Sequence, residues 1–243
     1  VTRMYRVAAD AFVAIWPALL TAAVCLAGLK TILDEGTSTL GGALVVYAMI
    51  ALYAHRAILL GETMRWRDSF KRAKSDATPA KFGPFLWRMF GWWLFAGTIW
   101  LCSFLILRWL FLPSFKGLTS DEFAGAVIIS LIPTVIVTLP VLAALGTVLP
   151  AAAVGGDDRL AAAWRRGRQT FWRTLGRIWG GNILFFVIAN GVLLWLIPTT
   201  GVIVIDGAFQ ILFELVGFFA ILLTASALSL AYQRADAALD VPD

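Results

Sequence analysis

Residues 123–149 read FAGAVIISLIPTVIVTLPVLAALGTVL, with no charged side chain among them. At a rise of 1.5 Å per residue such a run makes a helix about 40 Å long. About 20 mostly apolar residues suffice to cross the hydrocarbon of a bilayer. A helix this apolar all round has no polar face to offer water, so it belongs in lipid. Its prolines, Pro133 and Pro140, do not argue against that, because neighbouring side chains re-satisfy the freed carbonyls in membranes. The run exceeds the hydrocarbon thickness, and the excess is expected to be taken up by tilt or by bends at Pro140 and Pro150.

Five further stretches repeat the pattern: 12–29, 40–60, 90–111, 178–197 and 208–230. Hydrophobic residues form 60% of the chain and charged residues 14%, where soluble domains hold about 45–50% and about 25%. The expected fold is an all-α polytopic membrane bundle of about six transmembrane helices, three hairpins in one membrane domain over residues 1–243. Short turns at Thr37, Ser38 and Thr39 and at Pro198, Thr199, Thr200 and Gly201 join antiparallel neighbours. Arg3 and Arg6 before the first run resemble a signal peptide, but several comparable runs follow, so a retained helix is expected. Val1 in first place fits a GTG start codon read literally, which points to a bacterial gene.

Orientation follows from the basic residues. Of the 20 Lys and Arg, all but Lys30, Arg108 and Lys116 fall on the side that holds the N-terminus if six spans are drawn. Cytoplasmic connections carry that excess, so both termini are expected in the cytoplasm, in a bacterial inner membrane. Trp87, Trp92, Trp93 and Trp179 flank the inner interface of this scheme, and Trp109 and Trp195 the outer one, as aromatic belts do. The net charge of +5 therefore sets topology and attracts anionic lipid headgroups; no nucleic-acid partner is expected. Cys25 and Cys102 lie inside apolar runs, where thiols behave as small hydrophobes and no disulfide framework is implied.

The segment from Asp158 to Trp179 is the most organised. Leu160, Trp164, Phe171, Leu175 and Ile178 recur at helical spacing, and Arg165, Arg166, Arg168, Arg173 and Arg177 supply charge around them. Asp157 and Asp158 stand at the start, where carboxylates favour the positive end of the helix dipole. An amphipathic helix on the cytoplasmic surface is expected, its five arginines reaching lipid headgroups at about 1 kcal/mol each. The plainer role for the same charges is to anchor topology.

Glu214 is an acidic side chain deep in an apolar run, where ionisable groups are costly. Asn190 and Arg108 are its expected neighbours in an intramembrane polar cluster. Two roles stay open for it: a paired carboxylate holding helices together, or a step on a proton or cation path. Pro133 and Pro140, seven apart on one face, make either a fixed bend or a gating hinge. Gly176 and Gly180 have the GxxxG spacing that permits close helix packing. His55 is the lone histidine, so a zinc site lacks ligands and a serine-type mechanism lacks a base; an interfacial structural role is expected for it. Asp206 and Glu214 do not make a carboxylate dyad, because Asp206 falls at the outer interface. No catalytic residue, metal site or cofactor is expected.

Three stretches carry a family resemblance: residues 54–62 (AHRAILLGE), residues 163–173 (AWRRGRQTFWR) and residues 228–234 (LSLAYQR). They resemble a loose group of bacterial multi-pass inner-membrane proteins, which is similar to the membrane domain attached to some glycerophosphoryl diester phosphodiesterases. The catalytic barrel of those enzymes has no counterpart here, so the resemblance implies a membrane module without enzymatic residues. The expected function is a non-enzymatic accessory or scaffold subunit of a membrane complex, or a lipid-associating protein. Its expected partners are membrane lipids, other membrane subunits or further copies of itself. The alternative is a small transporter or channel that uses Glu214.

Overall fold

The computed structural model describes residues 1–32, 40–63, 82–111, 120–196 and 203–239. Its helices are α1 (Thr2–Ile32), α2 (Leu40–Leu60), α3 (Phe82–Phe111), α4 (Ser120–Leu145), the short α5 (Val148–Val154) and α6 (Leu160–Arg177). A π-helical segment (Ile178–Ile183) then leads into α7 (Leu184–Leu196), and α8 (Ile203–Leu239) follows. Among the described residues, five windows are long and apolar enough to cross a membrane: Thr2–Leu29, Gly41–Leu60, Phe82–Leu110, Gly125–Leu145 and Ile205–Ala237. The chain is a multi-pass, all-helical membrane protein. α1, α3 and α8 extend well past the apolar runs at 12–29, 90–111 and 208–230, because polar residues continue a helix once its backbone is paired within itself.

The run at 123–149 is not one helix. α4 stops at Leu145, Gly146 N–H donates to the Leu142 carbonyl at 2.7 Å, and the chain turns into α5. A side chain at Gly146 would press on that carbonyl and lie 2.7 Å from Leu228 Cδ2, so glycine lets the end of α4 approach α8. Part of the excess apolar length is thus taken up by a second, short helix. Pro150 sits in the first turn of α5, where its missing N–H is not needed. α4 stays helical through Pro133 and Pro140, and the Thr134 and Thr138 hydroxyls donate to the carbonyls of Ser130 and Thr134 at 2.8 and 2.7 Å.

The run at 178–197 also differs from a simple span. It starts as the π-segment, continuous with charged α6, and α7 adds 13 residues, while 197–202 lie outside the described residues. Tertiary contacts hold the π-segment: Tyr5 Oη donates to the Gly181 carbonyl at 2.7 Å, and Asn182 Nδ2 donates to Thr224 Oγ1 at 2.5 Å. Such one-turn insertions shift the register of side chains beyond them. Gly181 abuts the Met4 side chain, whereas a Cβ at Gly176 or Gly180 would meet nothing within 4 Å. The expected GxxxG contact is therefore not made; the glycine next to it is the packed one.

α8 is the axis of the bundle. Half of its apolar window is buried, against 6% for α3, so α8 is enclosed by protein and α3 faces outward. The most extensive contact is α1 with α8, and α1 buries Met4, Ala8, Ala11, Ile15, Leu19 and Ala23, a stripe at helical spacing. Lipid tails are as apolar as these side chains, so close van der Waals fit is what holds the pair. Phe12 meets Phe219 at 6.0 Å between centroids, and Arg3 lies near Arg234 about Arg177. α1 and α8 are thus antiparallel, with the start of one and the end of the other at the same end of the bundle.

Candidate functional site

That end gathers the conspicuous polar chemistry. α5 closes at Gly155 in the left-handed region (φ 78°), a conformation glycine adopts without strain. Asp157 Oδ1 then accepts the Arg159 N–H at 3.1 Å, and Asp158 Oδ2 accepts Arg88 Nε of α3 at 3.1 Å. The two aspartates therefore stand just before α6, pinning its start, and not in its first turn.

α6 buries Ala162, Ala163, Arg166, Gly167, Thr170 and Thr174, and leaves Leu160, Trp164 and Trp172 exposed. The buried face is the small-residue stripe, and Leu160, Trp164 and Trp172 point away from the bundle. A Cβ at Gly167 would run into the Ala144 carbonyl, which explains the stripe: α6 lies backbone-close on the end of α4. Arg165, Arg168 and Arg173 are exposed, and Arg177 is half-buried. Burial, with the charges of Arg234, Arg3 and Arg173 beside it, pushes Arg177 below the ordinary guanidinium value.

Arg166 departs from its neighbours. Only 6% exposed, it turns inward, where Nη2 donates to the Asp157 carbonyl at 2.7 Å. Its Cζ lies 5.0 Å from the centroid of the Tyr232 ring on α8, within cation–π range. Its Nε is buried and has no hydrogen-bond partner, a situation that costs about 1–3 kcal/mol. Around it opens a cavity of about 600 Å³ lined by Asp157, Ala162, Arg165, Arg166, Arg168, Gln169, Tyr232 and Asp236. Gly156 makes room for Tyr232, since a Cβ there would lie 2.5 Å from Oη. The sequence pattern placed Arg166 among the surface arginines; its position in the Ala163, Gly167, Thr170 stripe is the signal that sets it apart.

The other polar group lies inside the membrane span. Glu214 is 3% exposed between α8 and α2, where Tyr47 Oη donates to Oε2 at 3.3 Å and Gln210 Nε2 to Oε1 at 3.2 Å. Tyr47 and Gln210 are neighbours that sequence reasoning missed, although Gln210 stands one helical turn before Glu214. The Asn190 side chain lies outside the described residues. Arg108 is half-buried in the last turn of α3, which packs along α4, α5 and α2. His55 is buried beneath the same bundle end as Arg166, its Nδ1 2.8 Å from Ser229 Oγ and its ring 6.0 Å from that of Phe85.

No family model, curated protein or solved structure matches this chain.

Proposed function

We propose that the chain is a non-enzymatic, lipid-associating module of a bacterial inner membrane, an accessory or scaffold subunit with both termini in the cytoplasm. The observation that carries this is the outward face of α6. Trp164 and Trp172 project from the bundle among exposed Arg165, Arg168 and Arg173, the pairing of aromatic rings and guanidiniums that suits a headgroup layer. On this reading α6 is the surface-lying amphipathic helix, and the π-segment with α7 forms a sixth span. The concentration of arginine at the bundle end shared by α1 and α8 supports a cytoplasmic assignment for it. The likeness of residues 54–62 and 163–173 to the membrane domain of glycerophosphoryl diester phosphodiesterases favours the same kind of module.

Cysteine accessibility tests the topology: thiols introduced at Asp34, Phe115 and Thr199 should react with an impermeant reagent from outside, and thiols at Ser75 and Arg165 should not. Purification in native nanodiscs tests the subunit role, which predicts a stoichiometric protein partner or a defined homo-oligomer. A second reading, a small transporter, is favoured by one observation, the burial of Glu214 with Tyr47 in the span. It requires ion or proton flux in proteoliposomes that Glu214→Gln abolishes.

A further inference from the structure

The cavity beside Arg166 has the attributes of a binding site that the lipid-associating reading alone does not specify. Arg166, a buried guanidinium whose Nε has no hydrogen-bond partner, lines a space of about 600 Å³, within the roughly 300–1,000 Å³ of small-molecule sites. A ligand that meets this guanidinium must be an acceptor, because arginine only donates. Arg165 and Arg168 add two more guanidiniums to the wall, and Asp157 and Asp236 add two carboxylates. With every group ionised, three positive charges against two negative leave a single positive charge. That balance suits a singly charged oxyanion and disfavours a doubly charged phosphate monoester, whose second charge would face the carboxylates.

Depth is consistent with a headgroup. From Ile205, where the apolar window of α8 opens, to Tyr232 the helix rises about 40 Å, past the about 30 Å of hydrocarbon. An upright α8 whose hydrocarbon span opens at Ile205 would carry the cavity to the level of the phosphates. We infer that the cavity formed by the α5–α6 turn, α6 and the end of α8 binds a phosphodiester monoanion, with Arg166 as its buried anchor. The ligand is either the phosphate of a membrane phospholipid or a soluble diester of the same chemistry. The inference rests on the lipid-associating reading for the first source only.

The test uses full-length protein in a phosphate-free maltoside detergent, titrated with short-chain phosphatidylglycerol, dimethyl phosphate, inorganic phosphate and a monogalactosyl diacylglycerol. Phosphatidylglycerol should bind one per chain and be displaced by dimethyl phosphate, with inorganic phosphate and the galactolipid much weaker. Tighter binding of phosphatidylglycerol than of dimethyl phosphate assigns the lipid source, and equal binding the soluble one. Arg166→Lys, which keeps the charge and loses Nε, should weaken binding about tenfold. Should that variant fail to fold, the exposed double change Arg165→Gln with Arg168→Gln must weaken binding severalfold on its own. Galactolipid binding as tight as phosphatidylglycerol, or full affinity in a folded Arg166→Lys or in the double variant, would overturn the site. Quenching by brominated lipid, taken as the difference between wild type and Trp164→Phe with Trp172→Phe, separates the two claims. Quenching without diester binding sinks the cavity alone, and diester binding without quenching sinks the lipid-surface reading alone.

Discussion

Arg56 and Glu62 face each other across the end of α2, with Nε donating to Oε2 at 2.7 Å while Nη1 donates to the Ala153 carbonyl at 3.1 Å. One guanidinium thereby ties the turn after α2 to the C-terminal end of α5. Gly61 makes the geometry possible: at φ 67° it ends the helix and folds Glu62 back. The AHRAILLGE stretch is therefore a structural clasp, built from a buried cation, a left-handed glycine and a returning carboxylate.

Removing the carboxylate takes one counter-charge from a nearly buried guanidinium. Breaking a fully buried pair costs about 3–5 kcal/mol, and Glu62, with its side chain 33% exposed, brings that down to about 2 kcal/mol. Glu62→Ala should lower the unfolding temperature in detergent, and Gly61→Ala should cost about 1 kcal/mol through the left-handed backbone alone. Equal melting of wild type and Glu62→Ala would show that the clasp contributes nothing.

Gly167 and Gly176 make a second comparison on one helix. Gly167 has the Ala144 carbonyl where a Cβ would go, and Gly176 has open space. Gly167→Ala should cost about 1–3 kcal/mol as overpacking, and Gly176→Ala should be neutral or stabilise by up to about 1 kcal/mol through helix propensity. Unfolding measured side by side in the same detergent checks the sign, and a reversed order would mean that α6 does not lie on α4 as described.

The same pair shows what was legible in the sequence. Long apolar runs betray spans because lipid asks only for apolarity over a fixed length, so 40–60 and most of 123–149 could be read directly. Apolarity does not distinguish one helix from two at an angle, so the break at Gly146 was hidden. On α6 the helical spacing marked a large apolar face that suits either lipid or the bundle, and in a bilayer large residues are at home facing lipid. The packed face is the small one, Ala163, Gly167, Thr170 and Thr174, and it took Arg166 inward with it. Contacts between distant segments, Tyr47 with Glu214 or His55 with Ser229, leave no local trace in a single sequence.

α3 offers a test of how the bundle sits in lipid. Trp87 and Trp109 are 71% and 81% exposed and about 33 Å apart along the helix, close to the hydrocarbon thickness. Leu101, between them, is also exposed. Leu101→Arg should cost about 2.5–3.5 kcal/mol of insertion free energy, as charges at the centre of a span do, and Trp87→Arg much less. A glycosylation-based insertion assay reads both, and equal costs would place α3 away from lipid.

Arg177 carries a sign that can be checked. Its folded-state value is lowered by burial and by Arg234, Arg3 and Arg173, so its charge opposes folding at every pH where it is protonated. Arg177→Gln should therefore raise the unfolding temperature in neutral detergent. The burial part of the gain persists in high salt, while the repulsive part shrinks as the neighbouring charges are screened. Anionic lipid should shrink it likewise, and destabilisation in neutral detergent would contradict the crowding of these four side chains.

Glu214 separates the two readings of the protein. Tyr47 and Gln210 both donate to its carboxyl group, and it is almost wholly enclosed. An amide accepts through its oxygen as a carboxylate does, so Glu214→Gln keeps an acceptor in place, whereas Glu214→Ala leaves the Tyr47 hydroxyl without this partner. If the residue holds α2 to α8, Glu214→Ala should destabilise by about 1–3 kcal/mol and Glu214→Gln by much less. Tyr47→Phe should then lower stability in the wild type but have little further effect in Glu214→Ala, because the interaction is already gone. If instead the carboxyl group carries protons, Glu214→Gln should leave stability near wild type and abolish pH-driven flux in proteoliposomes, since an amide cannot exchange charge. Full additivity of Tyr47→Phe and Glu214→Ala would exclude the helix-holding role, and undiminished flux in Glu214→Gln would exclude the transport role.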